Sequence, residues 1–268
     1  MSFATLPMYD LPEAAEATAE LWRGLAWHFR QAGIEDVPDD LTRNPKLPAH
    51  WISPDLLFSQ TCGYPLRHTV KGRVKLVATP CYDAEGCNGP SYRSILVVPA
   101  PSRVRSLADL QGTRAAFNST DSQSGYNALR FMVAPLASGG RFFGEVIETG
   151  GHAASLAAVA AGKADLAAID CVCLALFRRF GRESANEVRE LCLSPAAPSL
   201  PYVTAGTSDT DRVTRLRNGL RAAMADPALA AARGALLLKD VMLLPDSAYE
   251  RIDEMEQAAI VRGYPVLA

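Results

Sequence analysis

Short β-rich runs alternate with helix-periodic segments along almost the whole chain, and this alternation limits the fold more than any other feature. Strands are expected at 55–58, 75–79, 94–98, 114–117, 145–148, 164–169, 190–193 and 202–205. Helices are expected at 13–32, 107–111, from 125 or 126 onward, 152–161, from 170 onward, 209–225, 227–238 and 246–262. Strands threaded through helices in this way predict an α/β protein with mostly parallel sheets. Gly33, Gly112, Gly162 and Gly263 fall where helices should stop, and Ser106 where one should start. At 268 residues the chain is long enough for two domains. The segment 100–197 reads as a complete unit inserted into another. Lobe 1 is therefore expected to be discontinuous, 1–99 plus 198–268, with 100–197 as lobe 2. The two crossings, near 97–101 and 195–201, are rich in proline, as a two-stranded hinge would be.

Composition narrows the function classes. Half of the residues are apolar (49%) and the formal net charge is −2, so there is a real core and no global basic field for nucleic acid or anionic lipid. An anion would have to be held by local groups. No stretch reads as a membrane span, because the most apolar one, 153–169, carries Lys163 and Asp165. The first residues lack a charged and then apolar leader pattern. As written the chain is expected to be cytoplasmic, and periplasmic where a leader has been removed. Six cysteines include no Cys-x-x-Cys pair, so neither a metal nor a cofactor is expected. Cys81 and Cys87 bracket a short glycine-containing loop and could bond in an oxidising compartment.

Two strand-to-helix corners carry the chemistry. In Phe117-Asn118-Ser119-Thr120-Asp121-Ser122-Gln123-Ser124-Gly125-Tyr126 a strand ends, short hydroxyl and amide side chains follow, and a helix begins. The first amides of a helix have no backbone acceptor and carry the positive end of the dipole, so an oxyanion can satisfy them. Ser122, Gln123 and Ser124 add donors, and Gly125 allows close approach. The second corner is Thr149-Gly150-Gly151-His152-Ala153-Ala154-Ser155. There the helix dipole disfavours imidazolium and suits a neutral His152 as a donor. Asp170, at a strand end and a helix start, is read either as an N-cap or as a ligand contact, and Asp165 as structural. Beyond the ends of other strands, Tyr9, Gln60, Thr61 and Tyr64 offer further donors where open α/β sheets place ligands. Tyr92 and Arg93 are weaker candidates.

Ser122-x-Ser124-Gly125-Tyr126, the Gly151-His152 turn with Ser155, and Ala158-Val159-Ala160-Ala161-Gly162-Lys163-Ala164-Asp165 resemble the phosphate/phosphite/phosphonate-binding proteins of ABC transporters. Gln60-Thr61-Cys62-Gly63-Tyr64-Pro65 suits the same family's first-lobe loop. The resemblance runs through most of the chain and is densest from 110 to 170. It implies the type II periplasmic-binding-protein fold and a small oxyanion held between the lobes by hinge closure, without catalysis. It also implies oxyanion contacts from Ser122, Gln123, Ser124, Gly125 and His152, aromatic contacts from Tyr9 and Tyr64, and an ABC permease as partner. Gln123 departs from the pattern by replacing a small hydroxyl residue.

Other classes are weaker. Ser124, His152 and Asp170 could be read as a nucleophile, base and orienting acid, but Gly-x-Ser-x-Gly is missing around Ser124. Phosphate-cradling glycine motifs are missing too. An enzyme of transferase or thiamin-precursor type on the same fold, and a cytosolic ligand sensor, are the alternatives to a transport binding protein. A strand is expected within a few residues of Met1, so a regulator with a helix-turn-helix ahead of this fold is not expected.

Overall fold

The computed structural model describes residues 2–268. The chain divides into two compact units. The first comprises the chain to Asp83, then Asn88–Pro90 and Pro198–Ala248; the second comprises Ala84–Cys87, Ser91–Ala197 and Tyr249–Ala268.

In the first unit the strands Phe3–Thr5, Leu56–Gln60, Tyr202–Ala205, Val74–Tyr82 and Leu238–Met242 lie side by side in that order. The helix Ala15–Gln31 buries Thr18, Leu21, Trp22, Leu25, Ala26 and Phe29, the three-and-four spacing of a single helical face. Trp22 and Phe29 both pack on Phe58, which in turn meets Tyr202. A Cβ on Gly219 would sit 3.0 Å from the His28 carbonyl oxygen. The absence of a side chain there lets the helix Thr210–Ala225 close onto the first helix.

The second unit has the strand order Glu145–Glu148, Arg114–Phe117, Leu166–Asp170, Ser94–Pro99, Val188–Leu193. Its core joins Leu96, Val98, Phe117, Leu129, Val133, Phe142, Phe143 and Leu166 to Tyr264 and Leu267. Arg114–Phe117 pairs in parallel with both of its neighbours. Three strands therefore deliver their carboxyl ends to one edge of the sheet. The loops after Phe117, after Glu148 and at Asp170 all leave from that edge.

Three expectations need correction. The sheets are mixed rather than mostly parallel. Ser94–Pro99 and Tyr202–Ala205, each the first long strand after the chain changes unit, run antiparallel to both neighbours. The helix expected over 227–238 begins as a 3-10 turn at Pro227–Leu229 and continues as α-helix only to Ala235. It stops where Leu237 turns to φ +58°, and Leu238–Met242 then adds an antiparallel edge strand to Val74–Tyr82. Finally, 249–268 belongs with the second unit. Its apolar residues fill that unit's core, and the Phe142 and Phe143 amides donate to the Ala268 carbonyl at 2.8 and 3.0 Å.

Candidate functional site

The first corner opens with an unusual turn. Ser122 is the cap, its side chain accepting from the Gly125 amide at 3.0 Å. Gln123–Asn127 then form a single π-type turn before the α-helix Ala128–Val133. A wide turn of this kind re-aims the first amides of a helix and is frequent at functional sites. Ser122, Gln123, Ser124 and Tyr126 are all buried. The Ser124 carbonyl accepts from the Ser94 hydroxyl at 2.9 Å, which ties the turn to the neighbouring strand. Gly125 is forced by crowding: a Cβ there would lie 1.9 Å from Asn118 Oδ1 and 3.3 Å from His152 Cε1.

The second corner is fixed to the first by backbone bonds. The Thr149 amide donates to Phe117 O at 2.9 Å, and the Gly150 amide to Asn118 O at 2.8 Å. Thr149 Oγ1 also reaches Phe117 O, at 3.0 Å, and shares a 2.7 Å hydrogen bond with the Ser155 hydroxyl. Gly150 takes φ +86° to make the turn. His152 then starts the helix His152–Ala160 and places Nε2 2.8 Å from Ser124 Oγ. Its Nδ1 is buried without a hydrogen-bond partner. Burial pushes the His152 pKa down to about 4, because a charged imidazolium would lose its hydration there. Asn118 Oδ1 is likewise buried and unpartnered.

Asp170 closes the group. Its Oδ1 caps the helix Cys171–Arg179 by accepting from the Val172 and Cys173 amides at 2.8 and 3.1 Å. The donor atoms of His152, Asp170 and Cys173 lie within 4.8 Å of one another. By donor type these three could share a metal ion, although one Asp170 oxygen is already committed to backbone amides. Arg93 directs its guanidinium to the Ser194 carbonyl at 2.8 Å.

The structure thus brings Ser122, Ser124, Gly125, His152 and Asp170 together at one sheet edge of the second unit. Gln123 lies in the same turn, but its amide faces the interior: Nε2 donates to Met255 Sδ at 3.4 Å and Oε1 accepts from Asn127 Nδ2 at 2.7 Å. Asp165 pairs with Arg114 through two carboxylate oxygens, which fits its structural reading. In the first unit, Tyr9 and Gln60 line a cavity of about 30 Å³ with Leu6, Thr18, Leu21, Tyr82, Tyr202, Leu236 and Leu238, room for one or two waters. Gln60 Nε2 donates to Tyr82 Oη and to Leu200 O, both at 3.0 Å. Thr61 is fully buried and donates its hydroxyl to Cys62 O at 3.3 Å. Tyr64 packs at a tilt against His68 with ring centroids 4.2 Å apart and does not line that cavity.

Sequence reasoning passed over Asn118 and Cys173. Asn118 was visible as the first polar residue after a strand. Cys173 gave no sequence signal, because only the helical turn after Asp170 brings it beside His152.

A family model described as ABC transporter, phosphonate, periplasmic substrate-binding protein matches residues 54–254. The chain belongs to this family. The family's members are substrate-binding components of ABC transporters. No curated protein matches the sequence significantly. Among solved structures, a binding protein component of an ABC phosphonate transporter from Pseudomonas aeruginosa superposes with a TM-score of 0.78 at 15% identity, covering 97% of this chain and 87% of that one. PhnD1 from Prochlorococcus marinus, solved with methylphosphonate, gives 0.75 at 13% identity, covering 96% and 97%. XAC2383 from Xanthomonas citri, solved with chloride, gives 0.72 at 15% identity, covering 97% and 98%. The shared fold is the two-lobed type II periplasmic-binding-protein architecture. No described helix is long and apolar enough to cross a membrane.

Proposed function

We propose that this chain binds a small phosphonate- or phosphate-like oxyanion at the Ser124–His152 corner of its second unit and releases it unchanged. One observation carries the reading: the hydroxyl of Ser124 and the neutral ring of His152 meet at 2.8 Å between the starts of two helices. An anion at this point is held by neutral donors. Ser124 supplies its O–H, and its oxygen accepts from His152 Nε2–H, the one N–H of a neutral imidazole. The amides opening the Gln123–Asn127 turn and the His152–Ala160 helix supply the remaining hydrogens. Ser122 accepts from Gly125 and keeps its own O–H for the ligand. Asp170 fixes the third corner, and its carboxylate accepts a hydrogen bond from a P–OH group. The buried, unpartnered Nδ1 of His152 and Oδ1 of Asn118 are acceptors for the same acidic hydrogens, so monoprotonated oxyanions suit the site better than sulfate.

Nothing in this geometry activates a nucleophile for turnover. A His152 that protonates only near pH 4 is a poor base at neutral pH, and Asp170 spends one oxygen on the helix behind it. The chain therefore acts as a carrier that hands its ligand to an ABC permease, on the outer side of the inner membrane as in the rest of its family. Thermal unfolding with methylphosphonate, phosphite, phosphate and sulfate tests the reading. At least one phosphorus oxyanion should raise the melting temperature while sulfate does not, and Ser124→Ala with His152→Ala should abolish the rise. A folded, ligand-free protein indifferent to all four would overturn it, as would recovery of a hydrolysed or transferred product.

A further inference from the structure

We propose that Cys87 and Cys171 form a redox-modification site, which a small-molecule disulfide converts to a Cys87–Cys171 bond. The sequence left open a Cys81–Cys87 bond in an oxidising compartment, yet all six thiols are free, and Cys87 Sγ lies 3.5 Å from Cys171 Sγ. The juxtaposition is built into the second unit. Cys171 is fully buried as the first residue of the helix Cys171–Arg179, and its amide donates to Arg93 O at 3.1 Å. The segment Ala84–Cys87 packs with this unit and presses against Cys171 at Gly86. A Cβ on Gly86 would lie 3.1 Å from Cys171 Cβ and 3.3 Å from its sulfur, and the residue takes φ +92°. A glycine in a left-handed turn is what permits the approach. Two thiols facing each other need to close by only ~1.5 Å to reach bonding length.

The two sulfurs differ in accessibility, which sets the order of events. Cys87 is half-buried and Cys171 is buried. Cys171 Sγ sits behind Cys87 Sγ, out of reach of a molecule in solution, whereas Cys87 is partly open to it. Cys87 is therefore the attacking residue. Its thiolate adds to one sulfur of a disulfide such as oxidised glutathione, breaking that S–S bond and releasing one glutathione thiolate. Cys171 then loses its proton and attacks the Cys87 sulfur, displacing the second glutathione. Two protein thiols are oxidised, one small disulfide is reduced to two thiols, and the two thiol protons end on the released glutathione. The bond would tie Ala84–Cys87 to the helix turn that Asp170 caps, independently of what the site binds.

The test uses the full chain, reduced and then equilibrated under native conditions with oxidised glutathione before alkylation and digestion. The expected result is two fewer alkylated thiols, a linked peptide pair containing Cys87 and Cys171, and two equivalents of glutathione released. Because the bond would close a loop between residues 84 positions apart, the melting temperature should rise by roughly 5–10 °C and fall back with dithiothreitol. Cys87→Ser, at a half-buried position, should leave the reduced protein's melting temperature unchanged and remove both the linkage and the rise; Cys87→Ala serves if that variant does not fold. Cys87 and Cys171 both remaining alkylatable would overturn the proposal. So would recovery of Cys87 only as a glutathione mixed disulfide, or bonded to another cysteine.

Discussion

His152 is the residue whose chemistry depends most on its setting. An ordinary histidine titrates near 6.5, and burial lowers this one to about 4. Above pH 6.5 the ring is neutral in both folded and unfolded chains and adds no pH dependence. As pH falls from 6.5 towards 4, the unfolded chain takes up a proton that the folded one refuses, so stability declines across that window by roughly 1–3 kcal/mol. Below about 4 the decline from this group levels off. Chemical denaturation at pH 7 and pH 4.5 should show the loss in the native protein and a smaller one in His152→Asn. Gly125 makes a second residue-scale test. A methyl group there would lie 1.9 Å from Asn118 Oδ1. Gly125→Ala must therefore push Asn118 or the turn aside, costing roughly 1–3 kcal/mol as overpacking does; differential scanning calorimetry reads the loss, and ligand titration should weaken with it. Ser122, Ser124, Gly125 and His152 were legible as candidates because hydroxyls and glycines gathered where strands gave way to helices. Their partners were not: that Ser124 meets His152, or that Gln123 turns inward, depends on which way the widened turn rolls.

At the scale of elements, the Gln123–Asn127 turn is held from behind by the last helix, Glu250–Val261. Asn127 Nδ2 donates to Ile252 O at 3.1 Å, and Arg130 bridges Asn127 Oδ1 and Glu256 at 2.8 and 3.0 Å. The Arg130 side chain is only 4% exposed, so its charge depends on these partners. Glu256→Gln leaves a buried cation short of a counter-charge and should cost about 2–4 kcal/mol in urea unfolding. It should also slacken the turn and weaken oxyanion binding, although Glu256 is remote in sequence from the serines. Helix positions were largely visible beforehand from apolar spacing and stop glycines. The edge strand Leu238–Met242 was not, because a short apolar run reads equally as the tail of a helix until a sheet edge takes it up.

For the whole molecule, a binding protein gains stability from its ligand by mass action. Phosphonate at ~100 times its dissociation constant should add ~2.7 kcal/mol, a rise of roughly 5–10 °C in melting temperature for a chain of this size, measurable by dye-based thermal shift. A much smaller rise at demonstrated saturation would mean that the ligand also binds the unfolded chain, or that the two units melt separately. The alternation of elements and the proline-rich crossings led to the expectation of two units. The allocation of the C-terminal residues was not legible. Tyr264 and Leu267 have the same apolar character whichever core receives them, and only packing against Leu129, Phe142 and Phe143 assigns them to the second.

Local sequence determined where strands end and helices begin, and hence which amides and hydroxyls could face an anion, because capping and turn chemistry act over a few residues. Tertiary structure decided which corners meet. Strand order and parallel register put the loops after Phe117 and Glu148 and the cap at Asp170 on one edge, and the same packing set Cys87 against Cys171 rather than Cys81. Pairing across a sheet depends on contacts between residues tens of positions apart, and no window of neighbouring residues contains them.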